Sequence, residues 1–338
     1  MSETTGGPNG RILGIGRYVP ERVVTNDDLA KLMDTSDEWI QQRTGIRERR
    51  FVTADAGPAD LGLEAAREAL RSASVRAEDL DLILLGNLSP DVDFPGGASL
   101  LQRHLGVRGM PVMDVRNQCS GFLYMLAVGD AFVRTGARRV LVVGAETHST
   151  GIDLSTAGRE VAVIFGDGAG AVVLGPESDP RRGILSTHLH SEGRFAEKLM
   201  VEVPAGRHQP RVIEEMLSGP GSRLWPRMEG RYVFKHAVQR FPEVIQEALA
   251  ANGLTVADLD LLIPHQANLR ISQLVAMGLE LPEEKVFNNI QRYGNTTAAS
   301  IPLALYEALE AGRVRSGDLV CLAAFGAGFT WAAALMRW

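Results

Sequence analysis

A stretch near residue 70 recurs 179 residues later, and no other feature restricts the fold as much. Ala69-Leu70 followed by Asp79-Leu80-Asp81-Leu82-Ile83-Leu84 is matched by Ala248-Leu249 followed by Asp258-Leu259-Asp260-Leu261-Leu262-Ile263. The same offset lays Val140-Leu141-Val142-Val143 over Leu319-Val320-Cys321-Leu322. The first two stretches each read as an amphipathic helix, a short polar turn and a strand. Two matches at one offset imply a duplicated α/β unit. The strands are apolar without alternation, which implies sheets covered on both faces. The expected architecture is layered, with helices between and outside two sheets. Residues 1–10 are polar and Gly-rich and read as a disordered tail. The first half, 11–182, ends with the strand Ala171-Val172-Val173-Leu174, and the second, 183–338, opens near Gly183-Ile184-Leu185. Residues 194–227 are polar with scattered Gly and Pro and read as a mobile insert.

Duplication matters for chemistry because ligand sites in α/β sheets form at strand carboxyl ends, so residues distant in sequence can share a cleft. Cys119 joins the apolar run Met110–Val115, read as a buried strand, to a helically spaced run, Phe122, Leu123, Leu126, Ala127, Ala131 and Phe132. A thiol at a helix N-terminus is expected to ionise more readily, which favours a nucleophile. A lone cysteine there is equally well read as a small buried hydrophobe. His265 follows the strand Leu261-Leu262-Ile263 and Pro264, and Asn295 lies in Gly294-Asn295-Thr296-Thr297. Each alone is explained by a strand end or a turn. Brought together, a cysteine, a histidine and an asparagine suit acyl chemistry.

Composition narrows the classes. There are 35 basic and 41 acidic side chains, a net charge of −6, so no overall basic field points to nucleic acid. Two cysteines, Cys119 and Cys321, form neither a disulfide framework nor a metal-ligand pattern, which suits a reducing, cytoplasmic setting. No apolar run is long enough to span a bilayer, and the N-terminus lacks a signal pattern. Gly14-Ile15-Gly16 resembles the start of a dinucleotide loop, but Val19 stands where a third glycine is needed. His188 and His190 share one strand face without an evident third ligand, so no metal is expected.

Six segments carry a resemblance covering about Arg11 to Trp338. They are Asp34–Ile40, Arg43–Arg49, Phe165–Gly170, Pro264–Arg270, Gly294–Ser300 and Ala324–Gly326. Together they make the chain similar to the β-ketoacyl-acyl carrier protein synthase III family, condensing enzymes of the thiolase-like superfamily. The resemblance implies a five-layer αβαβα fold with two mixed sheets. It implies decarboxylative condensation of an acyl-CoA, acetyl-CoA by default, with malonyl-acyl carrier protein, and no cofactor. Cys119 would take the acyl group, with backbone N–H groups of Cys119 and Ala327 holding the oxyanion. His265 and Asn295 would stabilise the enolate, and Phe325 would favour decarboxylation. Trp39, Arg43, Arg159 and Asn268 would bind CoA. Lys235 and Arg270 would dock the acidic carrier protein. Phe94 would reach into a partner's acyl pocket in a homodimer.

Two positions depart from the family pattern. Gln118, a long amide, precedes the nucleophile where small residues are common and is expected to narrow or redirect the acyl pocket. Ala327 replaces a frequent glycine and is expected to find a positive φ harder to reach. An acyltransferase or condensing enzyme of secondary metabolism with another primer is the alternative within enzymes. An inactive acyl-binding subunit is the alternative outside them. Retention of His265 with Asn295 argues against simple transfer, and retention of Cys119 argues against inactivity.

Overall fold

The structure, a computed structural model, describes residues 7–53, 55–212, 214–217 and 222–338. Nine strands build its two main sheets: β1 (Asn9–Tyr18), β2 (Leu82–Gly86), β3 (Val112–Asp114), β4 (Val140–Glu146) and β5 (Gly168–Glu177), then β6 (Gly183–Ser191), β7 (Leu261–Pro264), β8 (Leu319–Gly326) and β9 (Thr330–Arg337). The first sheet runs β1-β5-β4-β2-β3 and the second β6-β9-β8-β7. β2 and β4 are parallel, with Leu82 opposite Val140, and β7 and β8 repeat this with Leu261 opposite Val320. The outer pairs β1–β5 and β9–β6 are antiparallel, so both sheets are mixed.

The expected layering follows from which faces bury together. The longer helices are α1 (Asp37–Thr44), α2 (Pro58–Ala73), α3 (Gly97–Leu105), α4 (Gly121–Arg134), α5 (Gly230–Ala250), α6 (Leu269–Gly278) and α7 (Ser300–Glu310). Phe122 and Leu126 of α4 and Ile301 and Leu305 of α7 share one core with Leu84, Val142, Ile263 and Leu322 from both sheets. α4 and α7 are therefore the middle layer. Leu61 and Ala65 of α2 cover the far face of the first sheet, and Val244 and Ile245 of α5 that of the second. Phe122 is fully buried, and truncating such a ring between two sheets costs about 3–5 kcal/mol.

The 179-residue offset extends further than the sequence signal. The 3₁₀ turn Ala77–Asp79 corresponds to Val256–Asp258, and the turn Gln118–Ser120 before α4 corresponds to Thr297–Ala299 before α7. Gln118 and Thr297, counterparts at this offset, are both left-handed, with φ of 41° and 49°.

Three expectations change. The tail is shorter than 1–10, because Asn9 and Gly10 already pair with Glu177 and Pro176; residues 1–6 lie outside the described residues. The strand expected over Met110–Val115 shrinks to Val112–Asp114, an edge strand that is not fully buried, since only β2 pairs with it. Gly14-Ile15-Gly16, already set aside as a dinucleotide loop, lies inside β1. A Cβ on Gly16 would sit 2.3 Å from the Ala65 carbonyl oxygen, so this glycine lets α2 lie on the strand. The 194–227 segment forms the turn Gly193–Lys198 and a small ribbon, Leu199–Met200 against Arg227–Met228; residues 213 and 218–221 lie outside the described residues.

Candidate active site

A cavity of about 880 Å³ opens between the two halves, and Cys119, His265 and Asn295 all line it. Phe325, Ala327, Gln118 and Asn268 join them, and Met200, Val203 and Arg207 of the insert form part of the wall.

Cys119 sits in the 3₁₀ turn that leads into α4 and is 7% exposed. The end of β8 packs directly on it. A Cβ on Gly326 would lie 2.5 Å from the Cys119 Cβ and 3.0 Å from its Sγ, so only glycine fits there. The backbone N–H groups of Ala327 and Cys119 act on the thiol in the sense that favours its charged form. They are the two donors the sequence reading named for an oxyanion. The expectation of a readily ionised thiol is reversed. Burial, reinforced by the nearby Glu146, pushes the Cys119 pKa up to about 12, and those two N–H groups offset it only in part. The helix terminus is present, but desolvation wins over it.

The concern about Ala327 dissolves. Ala327 is not among the residues with positive φ; the left-handed conformation falls on Gly328, at 130°. Gln118 does reach the cavity wall and carries its own positive φ beside Cys119. Phe325 packs its ring 4.8 Å from Phe329.

His265 follows β7, and its backbone N–H is held by the Ala323 carbonyl at 2.7 Å. Its Nδ1 lies 2.6 Å from the Ser300 hydroxyl, at the start of α7. Its Nε2 is buried with no partner among the described residues. Burial, with a smaller contribution from His148, lowers its pKa to about 3, so the ring is neutral. Asn295 is anchored by backbone: its N–H donates to the Ile164 carbonyl at 2.8 Å, and its carbonyl accepts the Gly166 N–H at 3.1 Å. Its side-chain Oδ1 accepts the Thr297 N–H at 2.8 Å, so the carboxamide NH₂ is the end left for a ligand. Gly294 permits this approach. Its φ is 64°, and a Cβ there would lie 2.7 Å from the Ile164 oxygen.

Of the remaining predicted residues only Asn268 lines the cavity; the others lie around it. Trp39, half-buried on α1, carries the Arg43 guanidinium 4.3 Å and the Arg159 guanidinium 5.2 Å from its ring centre. Asn268 caps α6 by accepting the Arg270 N–H and donates to the Arg43 carbonyl at 2.9 Å, so it ties α6 to α1. Lys235 on α5 and Arg270 on α6 are exposed, and neither forms a salt bridge among the described residues. Phe94 is 81% exposed and does not line the cavity. His188 and His190 do meet a third group, which strand alternation alone does not reveal: Glu247 of α5 accepts from one ring at 3.0 Å and the other at 2.7 Å. Among the described residues no cluster of three such side chains is arranged to hold a metal ion.

Two buried titratable groups, one of them at the cavity wall, were not singled out by residue spacing. Glu146 ends β4 fully buried and accepts the Leu88 N–H at 2.9 Å and the Ser89 hydroxyl at 2.8 Å. Burial lifts its pKa to about 7. His148 lines the cavity two residues later, and burial lowers its pKa to about 3. A single sequence offers no signal for either, because each is an isolated polar residue after a strand.

Comparison with known proteins places the chain in a family and a fold. The family pattern described as 3-oxoacyl-[acyl-carrier-protein] synthase III matches residues 113–193, and its C-terminal counterpart matches residues 249–338. A β-ketoacyl-[acyl-carrier-protein] synthase III of Xanthomonas euvesicatoria is 51% identical over 331 residues, 97% of this chain and 98% of the relative. One from Alkalilimnicola ehrlichii is 50% identical over 330 residues, 97% of this chain and 99% of the relative. The crystal structure of 3-oxoacyl-[acyl-carrier-protein] synthase III from Aquifex aeolicus superposes with a TM-score of 0.89 at 43% identity, covering 97% of this chain and all of that one. The chain therefore belongs to the β-ketoacyl-acyl carrier protein synthase III family of acyltransferases with the thiolase-like fold.

Proposed function

We propose that this enzyme starts fatty acid synthesis by joining an acyl-CoA primer to malonyl-acyl carrier protein, with loss of CO₂. The observation that carries the residue assignment is the meeting of Cys119, His265 and Asn295 in one cavity, from opposite halves of the chain.

The first step is acyl transfer. The Cys119 sulfur attacks the thioester carbonyl, and the Ala327 and Cys119 N–H groups stabilise the oxyanion. The C–S bond to CoA breaks, and the departing sulfur takes the proton that the thiol gives up. Malonyl-carrier protein then enters. Its C–CO₂ bond breaks, and the electron pair moves into an enolate whose oxygen accepts from His265 Nε2–H and the Asn295 NH₂. Ser300 sets the tautomer this needs. Its oxygen accepts the Gln266 N–H at 3.4 Å and lies 2.6 Å from Nδ1, and in this scheme the Ser300 O–H is assigned as the donor, with the ring proton on Nε2. The carbanion attacks the acyl carbonyl, the bond to Cys119 breaks, and 3-oxoacyl-carrier protein leaves. No strong base is required, which suits a histidine held neutral by burial.

The outer residues fit the substrates' chemistry. Trp39 offers a stacking face, and Arg43 and Arg159 offer cations, for the adenine and phosphates of CoA. Asn268 lies at the cavity wall beside them, where the pantetheine arm would pass. Lys235 and Arg270 are exposed cations for an acidic carrier protein, in a chain whose net charge is negative. The exposed Phe94 ring suits burial against a second copy, giving a homodimer. Acetyl-CoA is the default primer, with Gln118 limiting the acyl pocket. Intact-mass measurement after incubation with acetyl-CoA tests the nucleophile: the native chain gains one acetyl group, and Cys119→Ala gains none. Acetylation of that variant at the native rate contradicts the assignment.

A further inference from the structure

Asn295 is fixed by more than its own backbone. Its Oδ1 accepts the Thr297 N–H, and Thr297 is itself left-handed, φ 49°. A β-branched residue holds that conformation only when its surroundings impose it. The Thr297 hydroxyl is hydrogen-bonded to Nε2 of His148, which comes from the other half of the chain. His148 is itself held firmly. It is 6% exposed, its ring lies 4.5 Å from that of Phe165, and the next residue, Ser149, gives its backbone N–H to the buried Asp167 carboxylate at 2.8 Å. Phe165 in turn bridges the Asn295 backbone. His148 therefore reaches Asn295 by two routes, through the Thr297 hydroxyl and through the ring it packs on.

We propose that His148 is a positioning residue for condensation: by holding Thr297 it keeps the Asn295 carboxamide aimed at the enolate oxygen. Its ring touches neither the reacting carbon nor the thiol in this scheme, so its effect is confined to the second step. The inference rests on the enolate role of Asn295 given above.

The test uses the full-length enzyme with acetyl-CoA and malonyl-acyl carrier protein. Acylation of Cys119 is read by intact mass, and condensation by product formation. His148→Phe keeps the ring against Phe165 and removes the hydrogen bond; Thr297→Val removes the same bond from the other side. Each is expected to lower the ratio of condensation rate to acylation rate about tenfold, the size of one lost buried hydrogen bond. The double variant is expected to fall no further, since both singles break one contact. His148→Gln, which restores a donor and acceptor, is expected to recover part of the loss. An unchanged ratio in both singles, or a hundredfold loss in the double, overturns the proposal. Should His148→Phe fail to fold, Thr297→Val with its Thr297→Ser rescue decides alone. Asn295→Ala is run beside them. If it condenses at the native rate, the enolate reading itself fails; if only it is impaired, the enolate reading stands and the role of His148 does not.

Discussion

The two halves build one sheet order twice and then use it for opposite purposes. In the first half, the strand β3 extends the sheet and feeds the turn that carries Cys119. In the second, the equivalent place holds a single bridge, Leu262 to Val286. The residue 179 positions after Cys119 is Ala298, in the same kind of turn and before the same kind of helix. The residue 179 positions before His265 is Gly86, where a Cβ would meet the Met125 side chain at 2.5 Å. The two halves thus share a frame and differ at matching strand and turn ends, and under the proposed roles those differences divide the chemistry. Burial acts oppositely on the two sets of groups. It raises the thiol to about 12 and lowers the imidazole to about 3, so both are uncharged at neutral pH.

That division is most exposed to test in the second half. His265→Ala or Asn295→Ala is expected to slow condensation about 10²–10³-fold, the usual effect of losing one oxyanion donor, while Cys119 still becomes acylated. Equal loss of both steps would mean that the halves do not act separately.

The pH dependence sharpens the contrast. With the thiol raised to about 12, its ionised fraction grows roughly tenfold per pH unit, so acylation is expected to climb from pH 7 to 9 without levelling. His265, lowered to about 3, gains its proton only as pH falls through that value, so decarboxylation of malonyl-carrier protein is expected to stay flat from pH 5 to 9. Stopped-flow traces at each pH separate the two; a plateau in acylation near pH 7 would show a thiolate already formed.

Ser300→Ala is the gentlest probe. It frees the imidazole to put its proton on Nδ1 and should lower condensation about tenfold with little change in acylation. Identical pH-independent losses in both steps would assign Ser300 to packing alone.

Much of this was legible before any coordinates. The offset of Asp79 and Asp258 revealed the repeat because apolar strands and their preceding helices leave a strong pattern. Cys119, His265 and Asn295 stood out because their residue types carry chemistry at strand or turn ends. The thiol's ionisation was misread because a helix terminus is visible in sequence, whereas the burial under the end of β8 and the charge of Glu146 that oppose it come from residues folded in from afar. Ala327 was misjudged because the positive φ belongs to its neighbour Gly328, a shift of one residue that no spacing records. Glu247 reached His188 and His190 through tertiary packing of α5 on β6, which strand alternation does not encode.

The most direct measurement is CO₂ release from malonyl-acyl carrier protein by Cys119→Ala. The division of labour between the halves predicts that release continues without any acyl-enzyme and disappears when Asn295→Ala is added. Loss of CO₂ release on removing the sulfur alone would contradict it.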